Sequence, residues 1–237
     1  MRATLPFQPA DIHACLLDLD GTLVDTLGDF ELALAGMLTD LGRQPLTRAQ
    51  IEPVIGKGTE HLVRTVLQMT APAPTAPTSS APTDEAVSHA LTRYHAHYAR
   101  INGHGSALYP GVREGLARLT AAGLPLVVVT NKPRAAAEAL LDHFGLRAQF
   151  VAVYGGDSFA RRKPDPMPLV QACLALQLPT QQVLMVGDSG NDAQAARAAA
   201  CPVVLMSYGY NHGADVRAED SDGVFERLDA LASLWAD

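Results

Sequence analysis

The sequence predicts an α/β protein: a doubly wound, Rossmann-like parallel sheet with an all-helical segment inserted after the first strand. Three observations carry this. Short apolar runs without alternation end in carboxylates, a hydroxyl or glycine; helical stretches alternate with them; and the alternation breaks once, between residues 27 and 106. Uninterrupted apolar runs suit strands buried on both faces of a parallel sheet. In such sheets ligands sit beyond the carboxyl ends of the strands.

Residues 14–20 (ACLLDLD) read as the first strand, 124–130 (LPLVVVT) and 183–188 (VLMVGD) as two more, with 151–154 and 202–206 as weaker members. Helices are predicted over 112–122, 134–144, 167–176 and 191–200. The expected core is therefore 1–26 with 107–237. Within the insertion, 27–106, helices are predicted at 27–41, 58–69 and 84–101, with no strand among them. The stretch 71–83 (APAPTAPTSSAPT) cannot hold a helix, because proline lacks the N–H and clashes with the preceding turn, so a loop or polyproline-like linker is expected there. His95 and His97 are two apart on a predicted helix and do not face each other, so with Tyr94 and Tyr98 they read as ordinary helix residues. Trp235 is expected to pack against the C-terminal helix.

Hydrophobic residues make up 48% of the chain and charged ones 18%, enough for a substantial core and too apolar for global disorder. No run of eighteen apolar residues exists, so no membrane span is expected, and residues 1–10 lack the apolar stretch of a secretory signal. Cys15, Cys173 and Cys201 are odd in number, widely spaced and set in apolar surroundings; they read as buried thiols of a cytoplasmic protein. A net charge of -7 without a basic stripe argues against nucleic acid as a partner. Only three lysines, Lys57, Lys132 and Lys163, stand against fifteen arginines. Lysines kept in so arginine-biased a chain mark places where a compact point charge is needed and a broad planar one fails.

Four segments carry chemistry. Asp18-Leu19-Asp20-Gly21-Thr22-Leu23-Val24-Asp25 ends the first strand with two carboxylates two residues apart, able to face one site. Carboxylates so close do not both ionise easily, which divides labour between an anionic nucleophile and a proton-carrying acid. Val186 to Asp192 (VGDSGND) brings two further carboxylates to the end of another strand. Hard oxygen ligands from two strand ends, with no cysteine or histidine nearby, point to magnesium. Val129-Thr130-Asn131-Lys132 offers a hydroxyl and backbone N–H groups at a helix N-terminus, a cradle for phosphate. Last, Arg162-Lys163-Pro164-Asp165-Pro166 fixes the chain just after a lysine.

Together these segments resemble the haloacid dehalogenase superfamily, in its phosphatase branch with a helical cap, over essentially the whole chain. The resemblance implies that Asp18 is the nucleophile and Asp20 the general acid and base. Thr130 and the Asn131 backbone would hold the transferring phosphoryl group and Lys163 would neutralise it. Magnesium would be held by the Asp18 carboxylate, the Asp20 main-chain carbonyl and Asp188. Asp192 and Ser189 would stand behind these, Asp192 orienting Lys163 or a metal-bound water. The physics requires such cations: an anionic aspartate nearing a phosphate dianion meets roughly 4 kcal/mol of repulsion per charge pair at ~4 Å and an effective dielectric near 20. A dehalogenase has no need of the second aspartate, so Asp20 argues against that branch.

Within the superfamily, 55–63 (IGKGTEHLV), 108–112 (LYPGV) and 208–213 (YGYNHG) resemble the phosphoglycolate phosphatases. Related phosphatases of sugar phosphates and muramic acid 6-phosphate have similar cap loops, and a phosphomutase or a degenerate binding module are further alternatives. The expected partner is a small phosphorylated metabolite, with monomer and homodimer both open. A substrate carrying a carboxylate besides its phosphate needs one more cation. The cap loop offers Lys57, between Gly56 and Gly58, with Arg64 as a second candidate.

Overall fold

The computed structural model describes residues 5–71 and 81–236. Most of the proline-rich stretch predicted as a linker thus lies outside the described residues. The core sheet has the order β5 (Ala152–Tyr154), β4 (Leu126–Val129), β1 (Ala14–Leu17), β6 (Val183–Gly187), β7 (Val203–Met206) and β8 (Gly223–Phe225). All its pairings are parallel, with Leu17 of β1 opposite both Val128 and Val186. β1 is central, its four residues all buried.

The two-residue side-chain period of a strand explains the layering. Cys15 and Leu17, Leu126 and Val128, Leu184 and Val186 face one apolar cluster, which α5 (Val112–Ala121), α6 (Arg134–His143) and the short α9 (Leu228–Ala232) close with Leu116, Leu140 and Leu228. Ala14 and Leu16, Val127 and Val129, Val183 and Met185 face the other, closed by Leu169 of α7 (Met167–Leu176) and Ala196 of α8 (Gly190–Ala199). Each fully buried Leu or Val contributes about 1.5–3 kcal/mol, so this three-layer packing dominates the stability of the core. Trp235 packs against the first cluster, and its indole N–H donates to Pro9 O at 2.9 Å, tying the C-terminal end to the N-terminal segment.

After Asp18 the chain turns back through β2 (Val24–Asp25), which pairs antiparallel with β3 (Ala107–Leu108). Between these two strands lie α1 (Leu27–Asp40), α2 (Arg48–Ile51), α3 (Thr59–Met69) and α4 (Asp84–Ile101). They enclose a cluster of their own. Val87, Ala90, Tyr94 and Tyr98 form the helical-period stripe of α4, packed against Leu34 and Met37 of α1 and Val63 and Val66 of α3. Asp29, fully buried, accepts from Gly103 N and Gly105 N at 2.6 Å each and from Ser106 Oγ at 2.5 Å, which fixes the returning chain to the start of α1. His97 Nε2 meets Asp40 at 2.9 Å, an exposed pair that links α4 to α1. β1, β4 and β6 each stop before the polar residue that ends the apolar run, Asp18, Thr130 and Asp188, which line up at the carboxyl end of the sheet.

Candidate active site

Because β4, β1 and β6 are neighbours, their carboxyl ends set Thr130, Asp18 and Asp188 side by side. Asp18 N still donates to Val186 O at 2.9 Å, so the first carboxylate is held one step past the strand. Asp18, Asp20, Thr130, Asn131 and Lys132 line a cleft of about 40 Å³, roofed from the inserted helices by Phe30, Ile55, Gly56, Gly58, Thr59 and Leu62.

Lys163 approaches from beneath. Its ammonium donates to Val129 O and to Asp192 Oδ1 at 2.7 Å each and lies 3.0 Å from Asp18 Oδ1. Burial alone would lower the Lys163 pKa, yet the adjacent Asp18 and Asp192 carboxylates raise it to about 12. Asp192 Oδ2 accepts from Ser189 Oγ at 2.8 Å and from the backbone N–H of Asp188 and Ser189 at 3.2 Å. Both oxygens of Asp192 are therefore committed to holding Lys163 and the start of α8. Burial pushes the Asp18 carboxyl up to about 6 despite Lys163, and pushes Asp188 well above the usual carboxylate range, with Asp192 and Asp18 adding to it.

One oxygen from each of Asp18, Asp188 and Asp192 lies within 4.8 Å of the others. Asp18 Oδ1 is buried and has no hydrogen-bond donor beyond the Lys163 ammonium 3.0 Å away. Asp188 is held by Thr22 Oγ1 at 2.8 Å and Tyr210 N at 2.6 Å. Buried carboxylates crowded this closely, with no sulfur or imidazole among them, fit a divalent cation. Two glycines make the crowding possible. Gly21 turns the chain at φ +88°, and a Cβ there would fall 2.2 Å from Asp188 Oδ2; one at Gly209 would fall 2.2 Å from Asp188 Cβ.

The Thr130 hydroxyl is the atom the sequence pointed to, whereas Asn131 also works through its side-chain amide, which the sequence did not single out. Thr130 Oγ1 accepts from Lys132 N at 3.2 Å. The Asn131 side-chain amide donates to Lys163 O at 2.8 Å and to Gly56 O at 3.0 Å, and Asn191 Nδ2 donates to the same Gly56 carbonyl at 3.2 Å. Two core amides thus hold the loop that roofs the cleft.

The two second-cation candidates, Arg64 and Lys57, are not among the residues lining the cleft. Arg64 lies on the opposite side of α3, paired with Asp84 at 2.9 Å and Glu60 at 3.2 Å, and does not line the cleft. Lys57 is exposed; it borders a separate, open cavity of about 1150 Å³ with His61, Arg162 and His212, because the glycines on either side direct their backbone, not the lysine, inward. The residue that sequence reasoning left without a role is Lys132. Its ammonium donates to Asp20 Oδ1 at 2.9 Å, to Asp20 Oδ2 at 3.2 Å and to Tyr98 OH at 2.6 Å. Its retention in a lysine-poor chain was the available signal.

The family model of haloacid dehalogenase-like hydrolases matches residues 12–200. The phosphoglycolate phosphatase of a Cupriavidus necator plasmid is 42% identical over 221 residues, covering 93% of this chain and 92% of the relative. That of Nitrosospira multiformis is 41% identical over 220 residues, covering 93% and 94%. Among solved structures, a predicted phosphoglycolate phosphatase of Haemophilus somnus superposes with a TM-score of 0.88 at 30% identity, covering 94% of this chain and 98% of that one. CbbY of Rhodobacter sphaeroides, solved with phosphate, shares the fold at a TM-score of 0.75 and 23% identity, covering 93% and 96%. With the strand-end carboxylates, the buried lysine and the helical roof all on one frame, the chain belongs to the haloacid dehalogenase-like hydrolases.

Proposed function

We propose that this chain is a magnesium-dependent phosphatase that converts 2-phosphoglycolate to glycolate and phosphate through an aspartyl-phosphate on Asp18, with residues 27–106 acting as a cap over a core of 1–26 and 107–237. The observation that carries this reading is the convergence of Asp18, Asp20, Thr130 and Asn131 in one small cleft with Lys163 at its base. The substrate comes from the relatives that share most of this chain's length. Asp18 and Asp188, with the Asp20 carbonyl, would hold magnesium, which when bound offsets the negative charge of the phosphoryl group.

The Asp18 carboxylate attacks phosphorus while the bond from phosphorus to the glycolate oxygen breaks. Asp20 delivers its proton to that oxygen, and glycolate leaves. Asp20, now a carboxylate, takes a proton from water as the water oxygen attacks the phosphorus of the acyl phosphate. Asp18 is released, phosphate forms, and Asp20 is protonated again. Thr130 and the Asn131 backbone position the phosphoryl oxygens, and Lys163 faces the charge that develops on them. Closure of the roof over the cleft would keep bulk water out of the first step. The buried free thiols at Cys15, Cys173 and Cys201 support a reducing, cytoplasmic setting, and no described helix is long and apolar enough to cross a membrane.

The test is phosphate release from 2-phosphoglycolate, several sugar phosphates and p-nitrophenyl phosphate, with and without magnesium, on wild type and Asp18→Asn. A magnesium-dependent preference of about tenfold or more for 2-phosphoglycolate, lost in the variant, is expected. Activity spread evenly over sugar phosphates would discard the substrate, and release surviving in Asp18→Asn would discard the nucleophile.

A further inference from the structure

Resting on that reading, we propose that Lys132, held jointly by Asp20 and by Tyr98 of the cap, is the subsite that receives the carboxylate of the leaving group. The substrate class is a phosphomonoester with a carboxylate on the carbon next to the ester oxygen.

Few cations near the cleft are free to act. All three Lys163 donors face Val129 O, Asp192 and Asp18, so that ammonium serves the nucleophile and the phosphoryl group. Arg64 is engaged by Glu60 and Asp84, and Lys57 borders the other cavity. Among the described residues lining the cleft, Lys132 is the one remaining cation.

Its setting is built rather than incidental. The Lys132 side chain is 3% exposed, and its ammonium lies 5.0 Å from the centre of the Phe30 ring and 4.8 Å from that of Tyr98. An ammonium has three donors: one meets the Tyr98 hydroxyl at 2.6 Å, and the Asp20 carboxylate is met at both of its oxygens, at 2.9 and 3.2 Å. The two ring centroids are 5.8 Å apart, so the ammonium rests against a neighbouring pair of aromatic groups, a desolvated cation–π setting.

Position identifies what it binds. Asp20 is the group that meets the leaving oxygen, and Lys132 touches Asp20, so Lys132 stands on the leaving-group side. A second cavity of about 460 Å³, lined mainly by apolar groups of α4 and α6, shares Phe30, Thr59 and Lys132 with the cleft. Lys132 thus marks where the leaving group emerges from the phosphoryl site. In 2-phosphoglycolate the carboxyl carbon is two bonds from the ester oxygen, so a cation adjoining the acid also adjoins the carboxylate. Because Phe30 and Tyr98 belong to the cap and Lys132 to the core, the subsite is complete only with the cap closed. Selection for the carboxylate is thereby coupled to closure.

Comparing 2-phosphoglycolate with ethyl phosphate tests this, since ethyl phosphate keeps the ester oxygen and chain length and replaces the carboxylate by methyl. The quantity read is the ratio of kcat/KM for the two substrates in wild type, Lys132→Met and Tyr98→Phe. Lys132→Met is expected to collapse the ratio by about a hundredfold, and Tyr98→Phe by a few fold, the pattern of a direct charge pair in a mutant cycle. Tyr98→Phe keeps the test decisive if Lys132→Met fails to fold. If the ratio survives while both substrates slow equally, Lys132 only holds Asp20, and the subsite is overturned while the phosphoglycolate reading stands. Should wild type itself show no preference for 2-phosphoglycolate over ethyl phosphate, the substrate reading fails and the subsite falls with it.

Discussion

Asp192 Oδ1 accepts a hydrogen bond from Lys163 Nζ at 2.7 Å, and the same ammonium lies 3.0 Å from Asp18 Oδ1. Asp192 therefore aims the lysine at the proposed nucleophile from the far side, in a position no solvent reaches. Asp192→Asn removes the charge but keeps the shape. Breaking one side of a buried pair costs about 3–5 kcal/mol, so a lower melting temperature is expected. Lys163 would also lose its orientation, so kcat is expected to fall by ~100-fold with a smaller change in KM. Melting curves and steady-state kinetics on the same preparation check both effects; an unchanged kcat would remove Asp192 from the mechanism.

Burial raises Asp18 from 3.8 to about 6, and Asp188 is raised as well. Between those values the folded chain holds a proton that the unfolded chain has released. The metal-free protein should therefore lose stability as pH rises from about 4 to about 6. Protons and a divalent cation compete for the same oxygens, so magnesium should bind more weakly at pH 5.5 than at pH 7.5, and its stabilising effect should grow across that interval. Thermal melts with and without magnesium at each pH measure this. Equal stabilisation at both would contradict the assignment of these carboxylates to the metal.

Gly209 leaves room for Asp188 to accept from Tyr210 N at 2.6 Å. A methyl at Gly209 would sit 2.2 Å from Asp188 Cβ and 2.4 Å from Gly21 O. Both neighbours are held, so Asp188 must shift. Gly209→Ala is expected to weaken magnesium binding by about tenfold or more, as read by calorimetry, with the helical content of the circular dichroism spectrum retained.

The exposed pairs of Arg64 with Glu60 and Asp84 are of the kind that contribute about 0–1 kcal/mol. Arg64→Ala should leave kcat/KM for 2-phosphoglycolate within about twofold of wild type. A rise in KM of tenfold would restore Arg64 to the substrate site and argue for a different closed position of α3.

What could be read from sequence followed strand ends. Asp18, Thr130 and Asp188 each close an apolar run, and adjacency of β4, β1 and β6 was enough to bring them together. Asp192 and Lys163 were linked only through the family resemblance, which left Asp192 to orient the lysine or a metal-bound water; the two side chains lie 2.7 Å apart. The pieces missed were those made by packing between segments distant in the chain. Tyr98 and Lys132 are 34 residues apart, and nothing in either segment states that α4 lies over the start of α6. Lys57 and Arg64 were placed by proximity along the chain, but which way a glycine-flanked loop or a helix face points is set by tertiary contacts. The strands β2, β3 and β8, two or three residues long, are too short to show a period.

A covalent phosphoenzyme on Asp18 is the step on which the whole mechanism turns. Rapid acid quenching of wild type with 2-[32P]phosphoglycolate and magnesium, followed by peptide mapping, would trap it. Acid-stable, hydroxylamine-labile label is expected on the peptide containing Asp18, formed before free phosphate reaches its steady rate and missing from Asp18→Asn. Turnover at full rate with no label on that peptide, or label at another residue, would contradict it.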